Sequence, residues 1–214
     1  MYFKDRHDAG RWLAARLEVH EGTNALVLAL PRGGVPVAYE VAKALELPLD
    51  ILLVRKLGVP GHEEFAMGAI ANSDVEVLNQ RVIDSLDIPK PMVDAVIMRE
   101  REELQRRNEH YRGGAPAPDL KHRSVIIVDD GIATGADMRA AVGAAEALGA
   151  AHIVVAAPVA SREAVTALGK IADDVVTLAT PEPFGGVGLY YRDFSQTSDA
   201  EVQRLLADAR ALSA

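Results

Sequence analysis

The hydrophobic positions of this chain fall into short, uninterrupted runs separated by amphipathic segments. Val125 to Val128 are four consecutive β-branched residues, a pattern typical of a strand buried on both faces of a parallel sheet. Apolar runs of similar length predict further strands at 25–30, 49–54, 152–157 and 175–179. Because strands and helices alternate, we predict an α/β fold, a parallel sheet of about five strands flanked by helices, with 125–128 as a central strand.

Helical periodicity fills most of the intervals between these runs. It predicts helices at 8–19, 37–47, 91–112, 138–148, 162–171 and 198–212. In the first of them, Trp12, Leu13 and Leu17 are expected to face the core. In the last, the same is expected of Val202, Leu205, Leu206 and Ala209.

The segment between the second and third core strands is predicted to hold several additions to the sheet. Residues 58–65 contain glycine and proline and are expected to form a mobile loop that acts as a lid. The runs 66–71 and 75–78 around Asn72-Ser73 predict a hairpin. The charge-rich helix 91–112 has Glu102/Arg106 and Glu103/Arg107 at the i, i+4 spacing, so we expect a mainly solvated helix, with a lid or a subunit contact as the alternative.

These patterns predict one domain over residues 1–214. Its core runs from about 20 to 180, with a helical insertion at about 79–118. A hood and C-terminal segment follow at about 181–214.

Composition narrows the function classes. The net charge of −8 and the pI near 5.3 disfavour binding to nucleic acid or to acidic membranes, so the expected partners are small molecules. The chain contains no cysteine, which excludes disulfides and thiolate metal sites, and it has no long apolar segment. We expect a soluble cytoplasmic protein, and the sequence leaves open a homodimer.

The most informative chemistry follows strand 125–128. Asp129 and Asp130 end the strand, and the turn from Gly131 to Gly135 leads into a helix. Ligands of parallel sheets bind at the carboxyl ends of strands, and a helix N-terminus favours anions. One interpretation is a structural turn whose aspartates only cap the helix. The other is a ligand that carries hydroxyl groups or Mg²⁺ as well as a phosphate, as a phosphorylated ribose does.

The second interpretation is favoured by a family resemblance. Residues 128–135, Val-Asp-Asp-Gly-Ile-Ala-Thr-Gly, resemble the phosphoribosyl pyrophosphate (PRPP) motif of type I phosphoribosyltransferases. The resemblance implies that Asp129 and Asp130 hold the ribose hydroxyls, act as catalytic residues and contact the metal through PRPP-bound Mg²⁺. It also implies a 5′-phosphate loop made of Gly131, Ala133, Thr134, Gly135, Ala136 and Asp137.

A second strand-loop-helix unit carries Pro31-Arg32-Gly33-Gly34. Paired glycines let the backbone approach a ligand, and Arg32 can grip a phosphate with its forked guanidinium, although an ordinary glycine turn is the alternative. The stretch resembles the family's pyrophosphate loop, which implies a catalytic role for Arg32 and a cis bond between Pro31 and Arg32. Arg55-Lys56 resembles a segment of adenine-type enzymes, and both cations are then expected to face pyrophosphate; a solvated strand end is the alternative.

The segment after residue 181 concentrates aromatic residues among glycines. One interpretation is a satellite core. The other is a hood in which Phe184, Tyr190 and Tyr191 contact the planar base.

Two positions depart from the family pattern. Ala133 stands where 6-oxopurine enzymes carry a catalytic aspartate, which resembles adenine and xanthine types. Asp137 stands where the phosphate loop commonly has threonine, and a carboxylate directed into the loop would repel a phosphate. We expect it to point away from the site, because the loop amides and Thr134 can hold a phosphate alone. The alternative is a first-turn cap that competes with the ligand.

The sequence therefore predicts PRPP-dependent phosphoribosyl transfer to an unidentified nitrogenous base, with Mg²⁺ as cofactor. The alternative is a PRPP-binding regulator or sensor without turnover.

Overall fold

The computed structural model describes residues 2–71 and 75–212, and its central layer is a parallel sheet. The strands are β1 Leu26–Ala29, β2 Leu49–Ile51, β3 Val54–Val59, β4 His62–Ala71, β5 Val75–Leu78, β6 Ser124–Val128, β7 His152–Val159 and β8 Asp174–Ala179. Five of them form the parallel sheet in the order β2-β1-β6-β7-β8. The predicted fold class is confirmed, and β6 is the central strand, as the apolar run indicated.

Helices cover both faces of this sheet. They are α1 Arg6–Ala14, α2 Gly34–Ala44, α3 Gln80–Ser85, α4 Lys90–Arg112, α5 Ala136–Ala147, α6 Arg162–Leu168 and α7 Asp199–Leu212. The short helix α3 has no counterpart in the sequence prediction. No helix within the described residues is long and apolar enough to cross a membrane.

The continuous apolar run of β6 is explained by its two buried faces. Ile126 and Val128 point into the core on the side of α1, α2, α4 and α7, whereas Val125 and Ile127 point into the core under α5 and α6. Since successive side chains of a strand point in opposite directions, a strand covered on both sides has no polar position.

The N-terminal helix packs on α2 through small residues. A Cβ atom built on Gly10 would lie 2.6 Å from the carbonyl oxygen of Val37, so only glycine allows this approach. Leu13 and Leu17 are buried as predicted, but Trp12 is 53% exposed. The prediction for Trp12 was wrong because the face containing Gly10 and Leu13 turns toward α2.

The segment between β2 and β6 begins with a three-stranded antiparallel sheet in the order β3-β4-β5, which precedes the helical insertion predicted at about 79–118. Residues 58–65 are not a loop: β3 and β4 pair across a tight turn, in which Gly61 has a φ of 79° and Val59 pairs with His62. The predicted hairpin between β4 and β5 is present, while its turn at Asn72-Ser73 lies outside the described residues.

Helix α4 contributes one face to the main core, while most of its residues are exposed or partly exposed, as the prediction of a mainly solvated helix expected. Val93, Val96, Ile97 and Leu104 are buried in the cluster that also holds one face of the parallel sheet. Its expected ion pairs form only in part, because Glu103 binds both Arg106, at 2.8 Å, and Arg107, at 2.7 Å. The predicted Glu102/Arg106 pair is thus replaced by an i, i+3 pair.

The C-terminal end of α4 is bonded to the parallel sheet through the buried side chain of Arg112. The Arg112 side chain is fully buried and its Nε donates a hydrogen bond of 2.9 Å to Oδ1 of Asp50 in β2. Its Nη2 donates to the carbonyl oxygen of Ile51. The helix then ends at Gly113, which has a φ of 62°.

Replacing this cation should destabilise the protein. We expect Arg112→Ala to lower the free energy of unfolding by about 3 kcal/mol, because Asp50 would lose its partner in a partly buried position. Urea unfolding at pH 7 measures the change. The matched control is Arg204→Ala on α7, whose exposed pair with Asp208 should be worth about 0.5 kcal/mol or less. Equal losses for the two variants would contradict this role of Arg112.

Candidate active site

The acidic pair lies where the central strand ends. Asp129 and Asp130 directly follow β6, and the amide of Asp130 donates a hydrogen bond of 2.8 Å to Oδ1 of Asp129. The neighbouring strand β1 continues into the glycine pair, and the Leu30 amide bonds the carbonyl oxygen of Val128 at 2.9 Å. The two candidate loops are therefore side by side.

The glycine pair touches the acidic pair directly. A Cβ atom on Gly33 would lie 2.1 Å from Oδ2 of Asp130, and one on Gly34 would lie 2.6 Å from the carbonyl oxygen of Val128. Both contacts are too short for any side chain, so glycine is required for the approach of the loops and not only for a turn. The bond between Pro31 and Arg32 is cis, as the resemblance implied.

A residue that sequence reasoning missed holds Asp130 in place. Arg6, at the start of α1, donates from Nε to Oδ2 of Asp130 at 2.7 Å, and both side chains are largely buried. Its guanidinium lies 4.0 Å from the ring centroid of Phe194, and its Nη1 bonds the carbonyl oxygen of Ser195 at 2.6 Å. No local pattern could have indicated this contact, because 124 positions separate Arg6 from Asp130.

The position of the acidic pair makes ionisation costly. Burial raises the pKa of Asp129 well above its usual range, and the charges of Asp130 and Asp137 raise it further. Burial also raises the pKa of Asp130, although the hydrogen bond and the charge of Arg6 oppose that shift. Two buried carboxyl groups with raised pKa values favour ligands that bring positive charge or hydroxyl donors.

The predicted phosphate loop is stabilised by a serine that the sequence analysis did not select. Ser161 donates from Oγ to the carbonyl oxygen of Ala133 at 2.6 Å, and the same Oγ accepts the amide of Ala164 as the N-cap of α6. Gly135 has a φ of 71°, which turns the chain into α5. The recognisable signal was the N-cap serine before α6.

Asp137 faces the acidic pair. It lines a cavity of about 180 Å³ together with Asp129, Arg55 and Arg107, and its charge contributes to the raised pKa of Asp129. The expectation that it points away from the site was therefore wrong. Asp137 lies in the first turn of α5, and residue types alone do not indicate that it lines the same cavity as Asp129.

The predicted pyrophosphate cations are not all in one place. Arg55 and Lys56 lie inside β3, and their side chains point to opposite faces as in any strand. Arg55 lines the cavity at the acidic pair, whereas Lys56 lines a groove between the antiparallel sheet and α5. The structure does not bring Lys56 to the same cavity as Arg55.

Arg32 and Arg55, the two arginines predicted to face pyrophosphate, already have carboxylate partners. Arg55 bonds the nearly buried Glu100 of α4 at 2.6 Å, and Arg32 lies 3.5 Å from Asp199 at the start of α7. A phosphate ligand would have to share these cations or replace their partners.

The aromatic segment divides into two parts. The Tyr191 ring is buried between Phe3 and Phe194, with centroid distances of 5.4 and 5.1 Å, and its hydroxyl donates to the carbonyl oxygen of Asp130 at 2.6 Å. This corresponds to the satellite-core interpretation for Tyr191. Phe184 and Tyr190 form a separate pair at 5.9 Å and are partly exposed.

Asp129 and Asp130 are the carboxylates that the resemblance assigns to a PRPP-bound Mg²⁺ ion. Within residues 2–71 and 75–212, no group of three or more His, Cys, Asp or Glu side chains is arranged to hold a metal ion. Asp129 and Asp130 supply the oxygen donors that Mg²⁺ prefers, and Mg²⁺ often binds one or two carboxylates while keeping waters and substrate phosphates. The donor set fits a Mg²⁺ ion that arrives with a phosphorylated ligand.

Comparisons with known proteins show which family and which fold the chain resembles. Residues 5–192 match the family model of the phosphoribosyl transferase domain. Two Mycobacterium tuberculosis proteins, from strains CDC 1551 and H37Rv, are 50% identical to the chain over 204 residues, 95% of its length, and their names assign them provisionally to the phosphoribosyl transferases. The chain spans 46% of the length of these relatives. The crystal structure of TT1426 from Thermus thermophilus superimposes with a TM-score of 0.89 at 42% identity, covering 97% of this chain and 99% of that chain.

The raised pKa of Asp129 should make stability depend on pH. Between the ordinary aspartate pKa, about 3.9, and the raised value, the folded state holds a proton that the unfolded state has lost, so the free energy of unfolding falls as the pH rises. We expect Asp129→Asn to melt at about the same temperature as wild type near pH 4 and at a higher temperature near pH 8.

Thermal melting across this pH range measures the effect. Asp208→Asn, which removes an exposed carboxyl from α7, is the control and should give no difference that grows with pH. A constant melting difference for Asp129→Asn would contradict the raised pKa.

Proposed function

The chain belongs to the phosphoribosyl transferase domain family, and from this premise we propose that it transfers the phosphoribosyl group of PRPP to a nitrogenous base and releases pyrophosphate. The observation that carries the proposal is the contact between the glycine pair and the acidic pair. Gly33 lies against Asp130, so a loop suited to pyrophosphate and a pair suited to ribose hydroxyls form one surface.

Binding would use the two loops in different ways. The hydroxyl groups of the ribose can donate to Asp129 and Asp130, which are partly buried at the end of β6. The 5′-phosphate can accept hydrogen bonds from the loop amides that precede α5, where the helix dipole also favours an anion. Arg6 and Tyr191 would act as positioning residues, because both bond Asp130.

The chemical step fits the charges of the site. The bond from C1 of the ribose to pyrophosphate breaks, a bond from C1 to a base nitrogen forms, and the base nitrogen loses a proton. Carboxylates near the ring stabilise the positive charge that develops at C1, while Arg55 offsets negative charge on the leaving group. Mg²⁺, when bound with PRPP, would add positive charge at the pyrophosphate.

Pyrophosphate release from PRPP in the presence of Mg²⁺ and a panel of purine and pyrimidine bases tests the function. We expect release with at least one base, and a loss of at least about 100-fold in kcat/KM for Asp130→Asn, since a hydrogen bond to the ribose and the orientation by Arg6 are both weakened. Asp208→Asn is the control and should keep full activity.

The same experiment separates the alternative. PRPP binding without release for any base would contradict the enzyme and support a PRPP-binding regulator. Failure to bind PRPP at all would contradict both.

The orientation of Asp137 generates a second prediction. Asp137 lines the same cavity as Asp129, so its carboxylate would repel the phosphate of a bound ligand. A carboxylate and a phosphate that each carry a unit charge, about 5 Å apart at an effective dielectric of about 20, repel by roughly 3 kcal/mol. Asp137 is exposed, so solvent reduces this value. We expect Asp137→Thr to tighten Mg²⁺-PRPP binding by about tenfold.

Calorimetric titration of wild type and Asp137→Thr with PRPP and Mg²⁺ measures this change. Asp208→Thr removes the same charge far from the site and should leave the affinity unchanged. Unchanged or weaker binding by Asp137→Thr would show that the carboxylate does not oppose the phosphate.

A further inference from the structure

The candidate phosphate loop, residues 131–137, continues the pairing of β6 with β7 beyond the ends of both strands. The Ile132 amide donates to the carbonyl oxygen of Val159 at 2.9 Å, and Ile132 forms an isolated parallel bridge with Ala160. The Ser161 amide then donates to the carbonyl oxygen of Ile132, also at 2.9 Å. The first half of the loop is therefore held by the backbone that leads into α6.

Three consecutive carbonyl groups of this loop accept hydrogen bonds from outside it. The first is the bond from the Ser161 amide to Ile132. In the second, Ser161 Oγ donates to the carbonyl oxygen of Ala133 at 2.6 Å. In the third, Arg139 Nη1 donates to the carbonyl oxygen of Thr134 at 2.8 Å. Two of the three bonds thus come from Ser161, one from its backbone and one from its side chain.

A hydrogen bond that fixes a carbonyl group also fixes the amide that follows it. A trans peptide unit is planar, so the C=O of one residue and the N–H of the next point in opposite directions. The N–H groups of Ala133, Thr134 and Gly135 are therefore directed away from Ser161 and Arg139. Successive N–H groups held on one side of a loop, before a helix, suit a phosphate.

The Ser161 hydroxyl uses both its proton and its oxygen. The oxygen accepts the amide of Ala164 at 3.1 Å and so caps α6, while the proton is donated to Ala133. Ser161 is only 6% exposed, so water has little access to either bond. The other side chain that holds the loop, Arg139, is exposed. We therefore expect Ser161 to fix the loop more firmly than Arg139 does.

We propose that Ser161 is a positioning residue for phosphoribosyl transfer, which directs the amides of Ala133 and Thr134 toward the 5′-phosphate of the ligand. It acts through the loop backbone, by holding the carbonyl groups of Ile132 and Ala133. Without the hydroxyl, the peptide unit between Ala133 and Thr134 can rotate and present its carbonyl oxygen to the phosphate, which that oxygen repels. This inference rests on the proposed function, because the 5′-phosphate is the group assigned to the loop there.

Calorimetric titration with ribose 5-phosphate, which carries the 5′-phosphate and no pyrophosphate, tests this role. We expect Ser161→Ala and Ser161→Gly to weaken binding by about tenfold, which corresponds to the loss of about one hydrogen bond to a charged group. Ser161→Thr keeps the hydroxyl and should restore most of the affinity. Binding of inorganic pyrophosphate should be unchanged in all three variants, because pyrophosphate is expected at Arg32 and Arg55 instead.

Two comparisons separate positioning from a general loss of stability. Glycine caps a helix nearly as well as serine does, so Ser161→Gly removes the bond to Ala133 at little cost to α6. Asn79→Ala removes the side chain that caps α3 and should lower the melting temperature without changing the affinity for ribose 5-phosphate. In turnover assays, Ser161→Ala should raise the KM for PRPP and leave kcat within about threefold of wild type, because ground state and transition state share the 5′-phosphate contacts.

The two ligands and the control variant decide the role of Ser161. Weaker ribose 5-phosphate binding by Ser161→Ala and Ser161→Gly, with unchanged pyrophosphate binding and recovery in Ser161→Thr, supports it. Unchanged ribose 5-phosphate binding, equal losses for both ligands, no recovery in Ser161→Thr, or the same loss in Asn79→Ala overturns it. These titrations need no turnover, so they remain decisive if no base leads to pyrophosphate release, a result that contradicts the proposed function alone. Failure of the wild type to bind ribose 5-phosphate contradicts both.

Discussion

The site depends on the close approach of two loops at the carboxyl ends of neighbouring parallel strands. β1 and β6 are paired in register, with Ala29 opposite Val128, so the chain segments that follow them must pass within contact distance. Gly33 and Gly34 satisfy this constraint because no side chain fits between their Cα atoms and the residues 128–130. The same approach places a backbone suited to phosphate against carboxylates suited to hydroxyl groups.

The approach has an electrostatic cost that other elements offset. Two adjacent carboxyls at the end of a buried strand resist ionisation, as the raised pKa of Asp129 indicates. Arg6 provides one compensating charge, and the Tyr191 hydroxyl bonds the backbone of Asp130 from the other side. Both ends of the domain, α1 and the segment before α7, therefore contribute to one short stretch of chain. Phe3, just before α1, and Phe194, before α7, pack on either side of Tyr191 and form a satellite core beside Asp130.

Residues of helix α4 form the bonds to three further charged groups around the site or its support. Its Arg112 is fixed to β2, its Glu100 holds Arg55, and its Tyr111 holds Asp199 at the start of α7. The helix thus holds Arg55 through Glu100 and supplies Arg107, and both arginines line the cavity at the acidic pair. Arg32 and Arg55 are engaged by carboxylates in this arrangement, and ligand phosphates would compete with those carboxylates for them.

The sequence alone determined the parallel sheet, its central strand and the two loops that carry the candidate chemistry. Each of these is encoded locally: a β-branched run has no exposed face, and a glycine pair or an acidic pair directly after such a run falls at the ligand end of the sheet. The amphipathic pattern likewise indicated the buried face of α7.

The tertiary structure alone decided which distant groups contact these loops. Arg6 carries no recognisable motif, and the N-cap position of Ser161 does not reveal its contact with Ala133. Trp12 is excluded from the core because glycine lets α1 approach α2. Lys56 is separated from Arg55 because both lie inside β3 and not in a loop after a strand. Asp137 lines the same cavity as Asp129, which also depends on how α5 packs against the sheet. Contacts between residues far apart in the chain depend on the packing of whole elements, and residue type and spacing do not specify that packing.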